Sequence, residues 1–174
     1  MYCLIASYLI ACQSTAVPPA KELTDPAERY AAVRVGERFI GGEATDLNER
    51  IHTLATPGKR TVYYLWSTFC APCLKTVPVL IEKKERYTEA GIDLIFLSLD
   101  PVQAEWTNYW VENSYPSRDT YWANADSSSL AWHALYPFGD KFITALPQYV
   151  VVGADRKIEY KSSNGQAVRE YLKL

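Results

Sequence analysis

Two cysteines three residues apart lie where a predicted strand ends and a predicted helix begins. The run Thr61–Trp66, TVYYLW, is β-branched and aromatic, which is typical of a buried strand. After the sequence CAPC at residues 70–73, apolar residues recur at helical spacing and predict a helix to about Ala90, which Gly91 ends. The fold must therefore place the first cysteine of the pair at a helix N-terminus.

That position favours a reactive thiolate. Unpaired backbone N–H groups and the helix dipole stabilise negative charge on the sulfur of Cys70, and Pro72 fits the first turn because it lacks an N–H group. Cys70 and Cys73 are close enough in sequence to form a disulfide. The alternative is half of a zinc site, which needs two more ligands. The other cysteines and histidines form no paired motif; they are Cys3, Cys12, His52 and His133.

The rest of the chain alternates strands with helices. We expect a hairpin in 39–54 with its turn at 46–49, and a central strand over Ile92–Leu99. Asp100 and Pro101 predict the N-cap and first turn of a helix whose inner side chains are Val102, Trp106, Tyr109 and Trp110. Further expected elements are a short helix after Ser127, strands over Gln148–Val152 and Lys157–Lys161, and a closing helix over Gln166–Leu172. This order predicts an α/β fold with a mixed central sheet.

Composition and charge exclude several classes of protein. Apolar residues make up 48% of the 174-residue chain and charged residues 22%, so the chain can fill a core and is not globally disordered. The formal net charge of −2 gives no reason to expect nucleic acid or an anionic membrane surface as a partner. Because no apolar stretch approaches the roughly 20 residues of a membrane-spanning helix, a polytopic membrane protein is also excluded.

The N-terminal segment has the pattern of an export signal. Residues 1–11 are almost wholly apolar, and the sequence LIAC at 9–12 resembles the lipobox of bacterial lipoproteins. That resemblance implies cleavage before Cys12 and acylation of this cysteine. The segment is short and no Lys or Arg precedes it, so either the true start lies upstream or the match is accidental. We expect a tether over 12–33, rich in Pro, Ala and polar residues, and a folded domain over 34–174.

The motif WSTFCAPC at 66–73 resembles the W-x-x-x-C-x-P-C signature of thioredoxin-fold proteins. Pro78 stands where that family has a helix-kinking proline, and ALPQ at 145–148 resembles its cis-proline loop. Taken alone, Pro147 is more simply a proline at the start of a strand, and it is the resemblance that favours the cis form. The resemblance implies a thioredoxin-like fold with catalytic Cys70 and Cys73. It also implies a substrate-binding loop region that contains Trp66, Phe69, Pro72, Leu146 and Pro147.

The predicted hairpin before the first core strand and the helical insertion before the cis-proline strand resemble the TlpA/ResA type. That type implies a membrane-tethered, extracytoplasmic thiol–disulfide oxidoreductase of the periplasm or cell envelope. The implied partners are proteins with disulfides and a membrane or periplasmic redox partner, with membrane contact through the lipid anchor only. No cofactor or metal is expected beyond the redox-active pair. In having a proline, Pro72, directly before the second cysteine, the chain resembles the reducing members of the family more than the oxidising ones.

Two departures from the family concern proton transfer. Thioredoxins carry a buried acid two residues before the tryptophan, where this chain has Tyr64, and ResA-like proteins carry a glutamate where this chain has Thr76. Either acid would accept the proton of the resolving cysteine. The sequence therefore names no base. Leu146 is also larger than the usual residue before the cis-proline, which is expected to alter the fit of substrates.

Two other functions remain open. A thiol peroxidase of the peroxiredoxin type would use Ser67, three residues before Cys70, but Tyr63 stands where that family has a proline. A lipid-anchored binding module would use the fold only to dock a partner, although such a module has no need of both cysteines. His52 and His133 are expected to lie at the surface or half-buried, and neither is assigned any chemistry.

Overall fold

The computed structural model describes residues 23–54 and 58–174. The predicted signal segment and Cys12 lie outside these residues. In chain order the elements are α1 (Pro26–Ala31), β1 (Gly42–Thr45), β2 (Ile51–Leu54), β3 (Arg60–Trp66), α2 (Ala71–Glu89), β4 (Ile92–Ser98), α3 (Gln103–Glu112), β5 (Thr120–Trp122), a 3₁₀ helix (Ser129–Ala134), β6 (Leu135–Phe138), β7 (Lys141–Thr144), β8 (Gln148–Val152), β9 (Ile158–Ser162) and α4 (Gly165–Leu172).

Within the described residues, seven strands form one sheet in the order β2-β1-β5-β4-β3-β8-β9, and β6 pairs with β7 separately. β3 is parallel to β4 and antiparallel to β8, and β4 is parallel to β5. The two central strands are almost wholly apolar, as expected for strands covered on both faces. The predicted α/β fold with a mixed sheet is confirmed.

Alternate residues of β3 enter two different cores. Val62, Tyr64 and Trp66 pack with residues of α2, α3 and α4 on one face of the sheet. Tyr63 and Leu65 pack on the other face, where the 3₁₀ helix contributes. Because successive side chains of a strand point to opposite faces, this one run supplies both cores. The two cysteines belong to the first core.

Helix α2 begins immediately after Cys70 and contains Pro78. It ends before Gly91, whose φ of 71° is easy for glycine and costly for a residue with a side chain. The N–H group of Gly91 donates to the carbonyl oxygen of Thr88 at 2.9 Å. The predicted helix and its end are confirmed, and its buried residues are Cys73, Val77, Leu80 and Tyr87.

The predicted start of α3 is wrong. The helix begins at Gln103, and the N-cap position belongs to Val102, whose side chain is 53% exposed and not part of an inner stripe. Asp100 does not cap the helix because its carboxylate is bonded to the loop before Cys70. Trp106 and Trp110 fill the inner face as predicted.

The sequence missed β5 and the pair β6 and β7. β5 has three residues and depends on its pairing with β4, while β6 contains Pro137, which normally argues against a strand. The other predicted strands and the closing helix are present within one or two residues of their expected bounds. The hairpin of β1 and β2 is confirmed, with Asp46 in its turn.

Packed structure begins earlier than the predicted boundary at 34. Helix α1 lies inside 12–33, which was predicted to be a tether, and the ring of Tyr30 contacts that of Phe142 with centroids 5.4 Å apart. Val33 is fully buried in the second core. The residues from about Pro26 onward therefore belong to the domain. Among the described helices, none is long and apolar enough to cross a membrane.

Candidate active site

Cys70 and Cys73 form a disulfide at the N-terminus of α2, with Cα atoms 5.2 Å apart. Cys70 occupies the N-cap position, and its Sγ accepts a hydrogen bond from the N–H group of Cys73 at 3.3 Å. Cys70 is 8% exposed whereas Cys73 is fully buried. Cys70 is thus the less buried of the two, and its position favours negative charge on its sulfur, because an N–H donor and the positive end of the helix dipole face it.

The residues beside the pair differ in what they offer to a partner. Phe69 is 67% exposed and Pro72 is exposed, so both belong to the surface around Cys70. Trp66 was expected in the same region but is fully buried, with its ring against those of Tyr109 and Trp110 at 5.4 and 5.7 Å. Trp66 therefore supports the loop from beneath and cannot touch a partner.

The Leu146–Pro147 peptide is cis, as predicted. β8 follows at once, and the register of Leu65 with Gln148 places Pro147 beside the end of β3, at the edge from which the cysteine loop leaves the sheet. Leu146 is partly buried against both cores. The loop and the cysteine pair therefore share one edge of the sheet.

The two positions where related proteins have acids carry hydroxyl groups close to Cys73. The hydroxyl of Tyr64 donates to the carbonyl oxygen of Cys73 at 3.3 Å, and that of Thr76 donates to the carbonyl oxygen of Pro72 at 2.9 Å. Burial raises the pKa of Tyr64, the nearby Tyr149 adds to this, and the hydroxyl of Thr76 partly opposes it. Tyr64 is therefore a neutral donor at physiological pH and cannot accept a proton from a thiol.

A buried carboxylate lies on the other side of the site, and sequence reasoning missed it. The Oδ1 atom of Asp100 accepts from the N–H group of Thr68 at 2.8 Å and from its hydroxyl at 2.6 Å. The Oδ2 atom accepts from the hydroxyl of Ser98 at 2.6 Å. The sequence did contain a signal for this carboxylate. Ser98 and Asp100 lie at the carboxyl end of β4, and because β4 is parallel to β3, that end lies beside the cysteine loop.

The remaining candidate residues lie away from the Cys70–Cys73 pair or outside the residues that the structure describes. In residues 23–54 and 58–174, no group of three or more His, Cys, Asp or Glu is placed to hold a metal ion. Cys3 and Cys12 lie outside these ranges. His133 was expected at or near the surface but is fully buried, with its Nε2 atom 2.9 Å from the carbonyl oxygen of Ile40. His52 is half-buried and bonded to Asp46, as expected for a residue without chemistry.

The solved structures that resemble this chain have the thioredoxin fold. The thioredoxin domain of a thiol–disulfide oxidoreductase from Bacteroides vulgatus has a TM-score of 0.64 and 19% identity, over 80% of this chain and 96% of that one. The exposed lipoprotein thioredoxin Etrx1 of Streptococcus pneumoniae has a TM-score of 0.57 and 14% identity, over 77% of this chain and 98% of that one. At these identities the resemblance establishes the fold alone.

Sequence comparison gives a family and a partial match to curated relatives. The thiol–disulfide oxidoreductase ResA of Bacillus cereus is 28% identical over 78 residues, which is 44% of this chain and 45% of that protein. The chain thus matches about half the length of such relatives. A family model described as thioredoxin-like matches residues 58–158, which is more than half of the chain. The chain belongs to the thioredoxin-like family.

Proposed function

We propose that this protein is a thiol–disulfide oxidoreductase that reduces disulfides of exported proteins, with Cys70 as the attacking and Cys73 as the resolving cysteine. The observation that carries the proposal is the Cys70–Cys73 disulfide at the N-terminus of α2, with Cys70 8% exposed and Cys73 fully buried. The ResA and Bacteroides relatives are each named as thiol–disulfide oxidoreductases, which supports this class of reaction. The chemistry needs no bound cofactor, because the cysteine pair itself carries two electrons.

In the first step the thiolate of Cys70 attacks one sulfur of a substrate disulfide. A bond forms between that sulfur and Cys70, the substrate disulfide breaks, and the second substrate sulfur leaves as a thiolate. The N–H group of Cys73 and the N-terminus of α2 stabilise the Cys70 thiolate before attack. Helix geometry thus supplies the activation that a free cysteine in water lacks.

In the second step Cys73 gives up its proton and attacks the sulfur of Cys70. The Cys70–Cys73 disulfide forms, the mixed disulfide breaks, and the substrate leaves with both sulfurs reduced. Two electrons have passed from the pair to the substrate, so a dithiol reductant must reduce the pair before the next turnover. We expect that reductant to be a membrane or periplasmic redox partner.

The surface that receives the substrate is formed by Phe69, Pro72 and the loop of Leu146 and Pro147. Phe69 offers an exposed aromatic ring directly before the attacking cysteine. The backbone of 146–147 lies at the same sheet edge as Cys70, where an extended substrate chain can pair with it as an added strand. Trp66 acts in this proposal as a buried support.

The test is to trap the mixed disulfide. Cys73→Ser cannot resolve the intermediate, so this variant is expected to form covalent complexes with disulfide-containing proteins on non-reducing gels, and these complexes disappear with dithiothreitol. Cys70→Ser is the matched control, since it removes the attacking sulfur from the same motif. Wild-type protein is expected to accelerate insulin reduction by dithiothreitol. Absence of both trapped complexes and insulin reduction would refute the proposal.

The same assays separate the other functions. A thiol peroxidase would consume peroxide at rates far above those of a free thiol, with insulin reduction at the uncatalysed rate. A binding module would hold a partner without forming a covalent complex through Cys70. Neither result is expected if the pair works as a dithiol.

We further propose that the protein acts outside the cytoplasm and is held there by lipid on Cys12. The name of the exposed lipoprotein thioredoxin of S. pneumoniae supports an extracytoplasmic location, and the sequence LIAC at 9–12 supports the anchor. In cells given an alkyne-labelled fatty acid, the wild-type protein is expected to take up label and Cys12→Ser to lose it. An unlabelled wild-type protein would refute the anchor and leave the redox proposal standing.

A further inference from the structure

We propose that Asp100 is a positioning residue for the attacking cysteine, and that it acts through Thr68 in the loop before Cys70. The inference rests on the proposed function for its catalytic meaning, but its geometry is independent of any substrate. Within the described residues, Asp100 is the one acidic side chain that is fully buried. A buried carboxylate needs strong partners, and each of its oxygens has one.

The bonds from Asp100 reach the loop at one residue. Oδ1 accepts two hydrogen bonds from Thr68, from the backbone N–H group at 2.8 Å and from the hydroxyl at 2.6 Å. Both distances are those of strong bonds to a charged acceptor. If Thr68 moved away, the oxygen would lose both donors at a place where water has no access. Thr68 is therefore held much more firmly than an ordinary loop residue.

Thr68 is the second residue of a turn that ends at Cys70. The N–H group of Cys70 donates to the carbonyl oxygen of Ser67 at 3.2 Å and closes the turn. One residue earlier, the carbonyl oxygen of Trp66 accepts from the N–H group of Leu99 at 2.8 Å. The backbone is thus fixed to Leu99, the residue after β4, on one side of the turn and to α2 on the other, and the orientation of Cys70 at the N-cap follows from it.

Asp100 is itself anchored from the far side. Its carbonyl oxygen accepts from the indole N–H group of Trp122 at 2.8 Å, and its N–H group donates to the hydroxyl of Ser98 at 3.1 Å. Trp122 ends β5 and pairs with Ser98 in the sheet. The position of Cys70 therefore depends on a chain of contacts that begins in the sheet and passes through Asp100 and Thr68.

The test measures the reactivity of Cys70 without a disulfide substrate. In the reduced full-length protein, we follow alkylation by iodoacetamide at Cys70 by peptide mass spectrometry from pH 5 to 9. Thr68→Val keeps the shape of the side chain and removes one donor to the carboxylate, and the rate at pH 7 is expected to fall about tenfold, with the pH profile displaced upward. Thr68→Ser keeps the hydroxyl and is expected to stay within about threefold of the wild-type rate.

Asp100 is tested directly with a matched control. Asp100→Ala removes the oxygen that accepts both loop bonds and is expected to slow alkylation at least as much as Thr68→Val does. Asp93→Asn, on β4, the strand that precedes Asp100, is partly exposed and paired with Lys59, and is expected to leave the rate unchanged. If Asp100→Ala fails to fold, the comparison of Thr68→Val with Thr68→Ser still tests the inference.

Two results would overturn the inference. One is a folded Thr68→Val variant with the alkylation rate and pH profile of the wild type. The other is a Thr68→Ser variant as slow as Thr68→Val, since that would assign the effect to packing and not to the hydroxyl. Failure of the proposed function is a separate result, because a wild-type protein that does not reduce insulin still gives a measurable alkylation rate.

Discussion

His133 makes the stability of this protein depend on pH between about pH 7 and 5, above the range in which ordinary carboxyl groups titrate. Its ring is stacked on that of Phe39 with centroids 4.4 Å apart, and Nε2 donates to the carbonyl oxygen of Ile40 at 2.9 Å. Nδ1 is buried and has no hydrogen-bond partner among the described residues. Protonation would place a second N–H group and a charge in that position. Burial therefore lowers the pKa of His133 to about 3, the bond to Ile40 opposes the shift, and the nearby charge of Lys161 adds to it.

The magnitude follows from the difference between the folded and unfolded states. An unfolded histidine has a pKa near 6.5, so between pH 6.5 and 3 the unfolded chain binds a proton that the folded protein excludes. The contribution of neutral His133 to the free energy of unfolding is fully present above this window and is lost as the pH falls through it. From pH 7 to pH 5 the loss is about 2 kcal/mol, which corresponds to a decrease in Tm of roughly 4–8 °C.

Other titrations contribute little between pH 7 and 5. The pKa of Lys161 is lowered by burial to about 8, so this residue is protonated in both states below pH 7. Hydrogen bonds from the backbone of Arg50 and from His52 lower the pKa of Asp46 to about 2, so its carboxylate is ionised in this range. The chain has two histidines, which leaves His52 as the one other imidazole to test.

The assay is urea unfolding at pH 7 and pH 5, followed by tryptophan fluorescence. His133→Gln retains an N–H donor for the carbonyl oxygen of Ile40 but does not titrate, so its stability is expected to change by less than about 0.5 kcal/mol between the two pH values. His52→Gln is the control and should keep the wild-type loss of about 2 kcal/mol. The reasoning fails if the wild type is equally stable at both pH values, or if His133→Gln loses as much as the wild type.

Two substitutions test the packing of α2. Tyr64→Phe keeps the ring but removes the hydroxyl that donates to the carbonyl oxygen of Cys73, so urea unfolding is expected to show a loss of about 1 kcal/mol; an unchanged midpoint would mean that the 3.3 Å contact contributes nothing. Gly91→Ala meets open space but must adopt a φ of 71°, so a loss of about 1 kcal/mol is expected in the same assay, and a gain in stability would contradict the proposed helix end.

Local patterns were enough to predict the central part of the fold and the position of the cysteine pair. The apolar run of β3, the CAPC sequence and the helical spacing after it are each visible within a few residues, and the structure joins them as expected. These features depend on neighbours in the sequence, which is why they could be predicted. The cis peptide at Pro147 was predicted instead from the resemblance of ALPQ at 145–148 to the cis-proline loop of the thioredoxin family, because its local setting alone favours an ordinary proline at the start of a strand.

The errors arose where a distant contact outweighs a local preference. Asp100 followed by proline is a good helix start by itself, but two hydrogen bonds to Thr68, 32 residues earlier, take its carboxylate away from the helix. His133 lies in a short segment with no clear period, and its burial depends on Phe39 and Ile40 from the other end of the domain. Helix α1 is likewise held by residues more than 100 positions away.

The placement of charge at this site has a consequence for the second step of the reaction. The buried carboxylate of the described region belongs to Asp100, on the side of Thr68 and Cys70, whereas the groups next to Cys73 are hydroxyls. Tyr64 cannot take the proton of Cys73, because the raised pKa of its phenol keeps the hydroxyl protonated. The substrate thiolate released by the first step has the basicity of an ordinary thiol and is generated at the site. We infer that this thiolate accepts the proton of Cys73, so that Cys73 becomes a nucleophile only after a substrate has been attacked.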